Sequence, residues 1–128
     1  MLDYIKGEKA NSLIENANPL NPKPMKDHEY LLVKVWVKYI SGEKSGYICS
    51  YDFTAYSIMD KKYDKHQPAM VVLPDNLSEL DGAYVLPGGE MEGWIPFEVR
   101  KNAEILITFN GIPSGDTLSV LEEPLCFI

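Results

Sequence analysis

A chain of 128 residues, 45% hydrophobic and 24% charged, has the size of one ordinary domain and lies well away from the disordered class. Its net charge of −7 is uneven: residues 1–66 total +1, whereas residues 67–128 total −8. The second half repels polyanions, which argues against nucleic acid or an anionic membrane as partner. The longest apolar run, LLVKVWVKYI, is broken twice by lysine and cannot span a bilayer.

The first residues, MLDYIKGEK, have neither the apolar core nor the cleavage site of a signal peptide. After Gly7, the segment EKANSLIENAN sets Ala10, Leu13, Ile14 and Ala17 on one stripe, which predicts a short amphipathic helix ending at Asn18-Pro19. NPLNPKPMKD, with prolines at 19, 22 and 24, reads as an extended loop. EYLLVKVWVKYI then alternates: Leu31, Val33, Val35, Val37 and Tyr39 share one face, Leu32, Lys34, Trp36, Lys38 and Ile40 the other. SGEKSG is a turn cluster, and GYICSYDFTAYSIM reads as one long strand.

DKKYDKHQPA reads as a polar loop, MVVL as a short strand and PDNLSELDG as another loop. AYVLPGG leads through a two-glycine turn into EMEGWIPFEV, where Met91, Gly93, Ile95, Phe97 and Val99 oppose Glu92, Trp94, Pro96, Glu98 and Arg100. AEILITF is a sixth strand, NGIPSGDT a hairpin loop and LSVLEEPLCFI the last strand. Seven or so short strands punctuated by turns predict an all-β antiparallel sandwich, a single domain over residues 1–128.

Sites for chemistry are scarce. GGEMEG has Glu90 where a dinucleotide-binding loop has its middle glycine, and it precedes a strand instead of a helix. GIPSGDT lacks the lysine and the following helix of a phosphate-binding loop. His28 and His66 sit in polar stretches, with nothing in the sequence to bring either to Cys49, and their spacing offers no zinc motif. Asp75, Glu79, Asp81, Glu90, Glu92 and Glu98 make an acidic region, but their spacing matches no calcium loop. The expectation is a chain with no catalytic group, no cofactor and no metal centre. Cys49 and Cys126 match no redox or zinc spacing and are either one bridge or two small buried hydrophobes.

The remaining lead is aromatic. Trp36 and Trp94 both fall on the polar face of their strands, with Lys34, Lys38 and Glu92 as neighbours. Exposed aromatic faces flanked by polar groups hold sugars and peptides, so these five residues form a candidate binding surface. The competing reading is structural: an outward tryptophan is a natural floor for the helix that carries Leu13 and Ile14.

The blocks ANPLNPKPMKDHEYLLVKVWVKYI, SYDF and LPGGEMEGWIPFEV, in that order, resemble the extracellular immunoglobulin-like domains of unknown function found in lipoproteins of Gram-positive bacteria. That family shares its sandwich with a secreted mycobacterial immunoprotective antigen. The resemblance runs from about Gly7 to the C-terminus. It implies a secreted or cell-surface domain, its signal segment removed and any membrane association made through a lipid anchor absent from this chain. It implies no known catalysis or ligand. A non-enzymatic domain binding a protein or cell-envelope component is the functional expectation, with a carbohydrate-binding sandwich acting on wall glycan as the alternative.

Two structural expectations follow from an immunoglobulin-like strand order. The strands holding Cys49 and Cys126 flank a third strand, about 9.6 Å apart, which is too far for a disulfide and predicts two free thiols. The strands YLLVKVWVKY and EMEGWIPFEV become antiparallel neighbours. Pairing them so that residue numbers sum to 130 sets Trp36 opposite Trp94 and Lys38 opposite Glu92, with each indole partly covering the other. Pro96, which cannot donate to the ladder, predicts a bulge or a shift to a sum of 132 that would set Trp94 against Lys38.

Overall fold

The computed structural model describes residues 3–41, 45–80, 82–109, 117–119 and 125–127. Strand β1 (Asp3–Lys6) precedes helix α1 (Glu8–Ala17), and the long β2 (His28–Ser41) follows the proline-rich loop. Then come β3 (Gly46–Ile48), a turn of 3-10 helix at Ser50–Asp52, β4 (Phe53–Met59), β5 (Lys62–His66), β6 (Ala83–Val85), β7 (Glu90–Arg100), β8 (Glu104–Phe109), β9 (Thr117–Ser119) and β10 (Leu125–Phe127).

All strand pairs are antiparallel. One sheet has the order β1-β2-β7, with β9 also pairing β2; the second runs β10-β8-β4-β5; β3 and β6 form a small ribbon. The predicted all-β sandwich is therefore the architecture found. Its main core lies between the two larger sheets, where Leu31, Val33, Val35 and Val37 of β2 meet Ile95, Phe97 and Val99 of β7, Phe53 and Ala55 of β4, and Ile105 and Ile107 of β8. For β2 and β7 these are the residues that a period of two assigned to one face.

The helix forms where its stripe predicted, and a second, smaller core explains why it stays. Ala10 and Ile14 pack on Tyr30, Leu32, Leu73 and Trp94, on the outer face of the first sheet. Gly7, at φ 80°, makes the sharp entry into α1 in a backbone region that costs glycine little. Its N–H donates to the Tyr30 carbonyl (3.2 Å), while the Tyr30 N–H donates to Asn11 Oδ1 (2.8 Å). No helix among the described residues is long and apolar enough to cross a membrane.

Several expected elements differ. GYICSYDFTAYSIM is not one strand. Asp52 Oδ2 accepts the Cys49 N–H (2.9 Å) and the Asp52 N–H donates to the Cys49 carbonyl (3.1 Å), so a local side-chain bond replaces the ladder and divides β3 from β4. DKKYDKHQPA is not all loop: Asp60 (φ 52°) and Lys61 (φ 63°) form a two-residue hairpin turn that launches β5 beside β4, with Met59 paired to Lys62. Two non-glycine residues in the left-handed region leave none of the usual glycine signal in the sequence. MVVL is not a strand, whereas Asp3–Lys6, which carries no strand pattern of its own, pairs with β2 as β1. LSVLEEPLCFI supplies β9 to one sheet and β10 to the other. The NGIPSGDT loop, apart from Thr117, lies outside the described residues.

The β2–β7 pairing holds, but its register sums to 128 rather than 130 or 132. Lys34 opposes Trp94, Trp36 opposes Glu92 and Lys38 opposes Glu90; on the inner face Val33 opposes Ile95, Leu31 opposes Phe97 and Val35 opposes Gly93. A shift of two keeps every side chain on its face, so alternation alone does not choose the register and packing does. The expected bulge at Pro96 is absent, because the pairing runs unbroken from His28–Arg100 to Lys38–Glu90. Backbone groups of Trp94 and Pro96 turn away from β2: Trp94 N–H donates to the Ser78 carbonyl (2.8 Å), and the Pro96 carbonyl accepts the Ala69 N–H (2.7 Å). Hydrogen bonding alternates along an antiparallel strand, so the N–H that proline lacks is one the β2 ladder never needed.

Cys49 carries a free thiol and is half-buried. The Cys126 side chain lies outside the described residues. Cys49 itself stands on no strand, between β3 and the 3-10 turn, so the strand separation on which the two-thiol expectation rested does not apply to it, although β8 does lie between β4 and β10.

Candidate functional site

The five residues of the expected tryptophan surface do not share one environment. Trp94 is only 8% exposed, sealed beneath α1 and the 69–77 segment with Ile14, Leu32 and Leu73. Trp36 stands outside that cluster, half-buried, opposite exposed Glu92. Lys34 is half-buried and opposite Trp94, and Lys38 is exposed opposite Glu90. The two indoles are diagonal rather than opposed. One end of this face is closed by the helix, and the other is a charged sheet surface around a single half-covered indole.

A different face has the character sought. On the outer side of the β10-β8-β4-β5 sheet, Tyr56 and Ile58 of β4, Tyr63 of β5 and Leu106 of β8 border a shallow hollow of roughly 350 Å³, rimmed by Lys61 and Lys62. The Tyr56 and Tyr63 rings meet edge to face, centroids 5.5 Å apart at 73°. Tyr63 is 70% exposed. Register explains the cluster, because Tyr56 pairs with Leu106 on one side and Lys65 on the other, and Ile58 pairs with Tyr63. A reading of DKKYDKHQPA as loop hides this face. The alternation Tyr63, Lys65 against Asp64, His66 was the available signal. A second exposed aromatic pair, Tyr47 and Tyr84, lies on the β3–β6 ribbon, with ring centroids 5.0 Å apart and tilted by 37°.

Between α1 and the proline-rich loop runs a groove of roughly 600 Å³ that includes Asn11, Lys23, Lys26, His28, Tyr30 and Lys101. The loop is fastened by the Tyr30 hydroxyl, which donates to the Pro22 carbonyl (2.6 Å), and by Asn21, whose Nδ2 donates to the carbonyls of Ile14 and Val72 (both 2.9 Å). Burial, then the nearby Glu98 carboxylate, hold the Tyr30 phenol above its usual pKa.

The histidines, expected to be separate, are neighbours. His28 opens β2, His66 closes β5, and their rings meet edge to face at 6.2 Å. His66 Nε2 lies 2.8 Å from Ser57 Oγ, which also accepts the Arg100 N–H (3.0 Å). Arg100 Nη1 bonds Asp64 Oδ2 at 2.9 Å, an exposed pair that lowers the Asp64 pKa chiefly through this hydrogen bond. Among the described residues no group of three or more His, Cys, Asp or Glu is arranged to hold a metal ion. In the acidic region, Glu79 makes a backbone bridge to Trp94, and Asp81 lies outside the described residues.

A two-sheet antiparallel sandwich with one short helix, its open aromatics carried on sheet faces, places the chain in the all-β class of sandwich domains. Within that class, the family model described as "Domain of unknown function (DUF4352)" matches residues 9–118, and the chain belongs to this family. A search of the curated proteins and a search of the solved structures each found no match.

Proposed function

We propose that this chain is a non-enzymatic, immunoglobulin-like binding domain of the secreted or cell-surface space, and that its partner is an envelope protein docking on the Tyr56–Tyr63 face. The observation that carries this reading is the hollow between Tyr56, Ile58, Tyr63 and Leu106. An open apolar surface with aromatic anchors is the feature that distinguishes recognition patches from ordinary sheet surface. Its rim is cationic, with Lys61 and Lys62 at the edge and Lys65 beside Tyr56, on a chain whose net charge is −7. This complements a partner segment that is apolar at its centre and acidic at its flanks. The non-enzymatic part rests on Ser57: the hydroxyl that a histidine approaches is 1% exposed and bonded to a backbone amide, out of reach of a substrate.

The test is amide-shift mapping with synthetic peptides that carry Leu and Phe flanked either by Glu or by Lys. The reading expects the Glu-flanked set to shift residues around Tyr56, Tyr63 and Leu106, and Tyr63→Ala to remove the effect. Equal response to both sets, or shifts confined to other surfaces, would refute it. Carbohydrate binding on wall glycan is the second reading, favoured by the tilted, exposed Tyr47–Tyr84 pair. Soluble wall fragments that shift those two tyrosines would promote it.

A further inference from the structure

The β5 strand ends its sheet. Among the described residues it pairs with β4 alone, and Lys62, Tyr63, Asp64 and Lys65 are all exposed. The two-residue turn fixes which of its backbone groups are spent. Met59 and Lys62 close the hairpin as a pair that exchanges both hydrogen bonds, and the alternation of an antiparallel ladder repeats this at Ser57 with Asp64 and at Ala55 with His66. Tyr63 and Lys65 fall between. Their N–H and C=O groups point away from β4, and among the described residues no backbone group bonds them.

The same phase carries the side chains of the open face. Tyr63 stands opposite Ile58 and Lys65 opposite Tyr56, so both project onto the outer face that holds the hollow bordered by Leu106. Asp64, the acid of this strand, lies on the other face and is bonded to Arg100. The free edge thus presents one aromatic ring between lysines, with Lys65 on one side of Tyr63 and Lys61 and Lys62 of the turn on the other. Lysine on an edge strand guards against self-pairing, because two such edges laid together set like charges side by side. It is no guard against an acidic strand.

Resting on the reading of this face as a protein-docking surface, we propose that the partner enters as a strand: an extended acidic segment adds antiparallel to β5 and continues the β10-β8-β4-β5 sheet. The partner residue opposite Tyr63 takes both backbone hydrogen bonds that Tyr63 has free, and its side chain stands on the outer face beside the Tyr63 ring, at the lip of the hollow. The residues two before and two after it face the same way, one against Lys65 and the other against the Lys61–Lys62 turn. The edge therefore selects the pattern acid-x-apolar-x-acid. Main-chain bonds supply the affinity, and alternate side chains restrict it. The intervening residues lie on the other face, and their N–H groups point away from β5.

A short peptide containing Glu-Thr-Leu-Thr-Glu, capped at both ends and titrated into the intact chain, tests this by amide shifts and amide exchange. In the free chain the Tyr63 and Lys65 amides should exchange faster than those of Asp64 and His66, and saturating peptide should slow them by about tenfold or more. An N-methyl group on the Leu nitrogen should weaken binding by about tenfold or more, whereas N-methyl groups on both Thr nitrogens should leave it within about twofold. Lys65→Gln should weaken the Glu peptide about threefold at low salt and leave a Gln-Thr-Leu-Thr-Gln analogue unchanged. If N-methyl peptides of either phase shift the Tyr56–Tyr63 face alike, strand addition is overturned and the docking face stands. If no peptide shifts that face, both fall. Protection of Tyr63 and Lys65 that rises with protein concentration without peptide would put a second copy on the edge, and peptide-induced protection at Asp3–Lys6 instead would put the strand on the other sheet; either result overturns the proposal.

Discussion

Gly93 lies directly beneath the backbone of Leu80: a Cβ on Gly93 would come within 2.7 Å of both the Leu80 Cα and its nitrogen. Leu80 is buried in the main core, and its N–H donates to the Trp94 carbonyl (3.0 Å). The 78–80 segment thus closes the outer edge of β7 and fills the place that a side chain at position 93 would take. Because the clash is with backbone, Gly93→Ala should destabilise the fold by about 2–3 kcal/mol, read as a lower urea midpoint with unchanged slope. A loss under about 0.5 kcal/mol would mean the segment moves aside without resistance.

The two tryptophans should separate sharply. Trp94, sealed under α1, should cost about 3–5 kcal/mol on truncation to alanine, whereas half-buried Trp36 should cost about 1 kcal/mol. Chemical denaturation of the two single variants checks this. Equal losses would contradict the assignment of Trp94 alone to the second core.

The β4–β5 turn carries a correctable strain. Asp60 and Lys61 both have positive φ, and Lys61 gains nothing there that a glycine would lose, since its side chain sits on the exposed rim. Lys61→Gly should stabilise the domain by about 0.5–1 kcal/mol, the steric relief outweighing the added freedom of the unfolded chain. A fall in the melting temperature would show that the turn is not held in this conformation.

Asn21 behaves as a piece of strand. Its Oδ1 accepts the Val72 N–H while its Nδ2 donates to the Val72 carbonyl, both at 2.9 Å, and the same Nδ2 reaches the Ile14 carbonyl. Asn21→Ala should cost about 2 kcal/mol by leaving these groups unpaired. Asn21→Asp, equal in shape, loses both donors and sets a carboxylate against two carbonyls. It should be at least as damaging near pH 7 and recover partly in acid, where a protonated carboxyl donates once. A neutral Asn21→Asp would place the fastening elsewhere.

Residue order alone is enough to say which face of β2 and of β7 is buried. Alternation in β2 and β7 assigned Leu31, Val33, Val35, Ile95 and Phe97 to the core, and the stripe Ala10, Ile14 assigned the helix its buried side. Those assignments depend only on the period of the backbone and on apolar burial, which are local properties. Registers summing to 128 and 130 satisfy that pattern equally, so only tertiary packing chose between them. The β5 strand escaped notice because its turn is built from Asp60 and Lys61 and its residues are nearly all polar; pairing with β4, not propensity, makes it a strand. With β5 in place, Tyr63 meets Tyr56 and His66 meets Ser57 across the hairpin, and His66 meets His28 from a distant part of the chain, contacts that only the folded chain brings into reach.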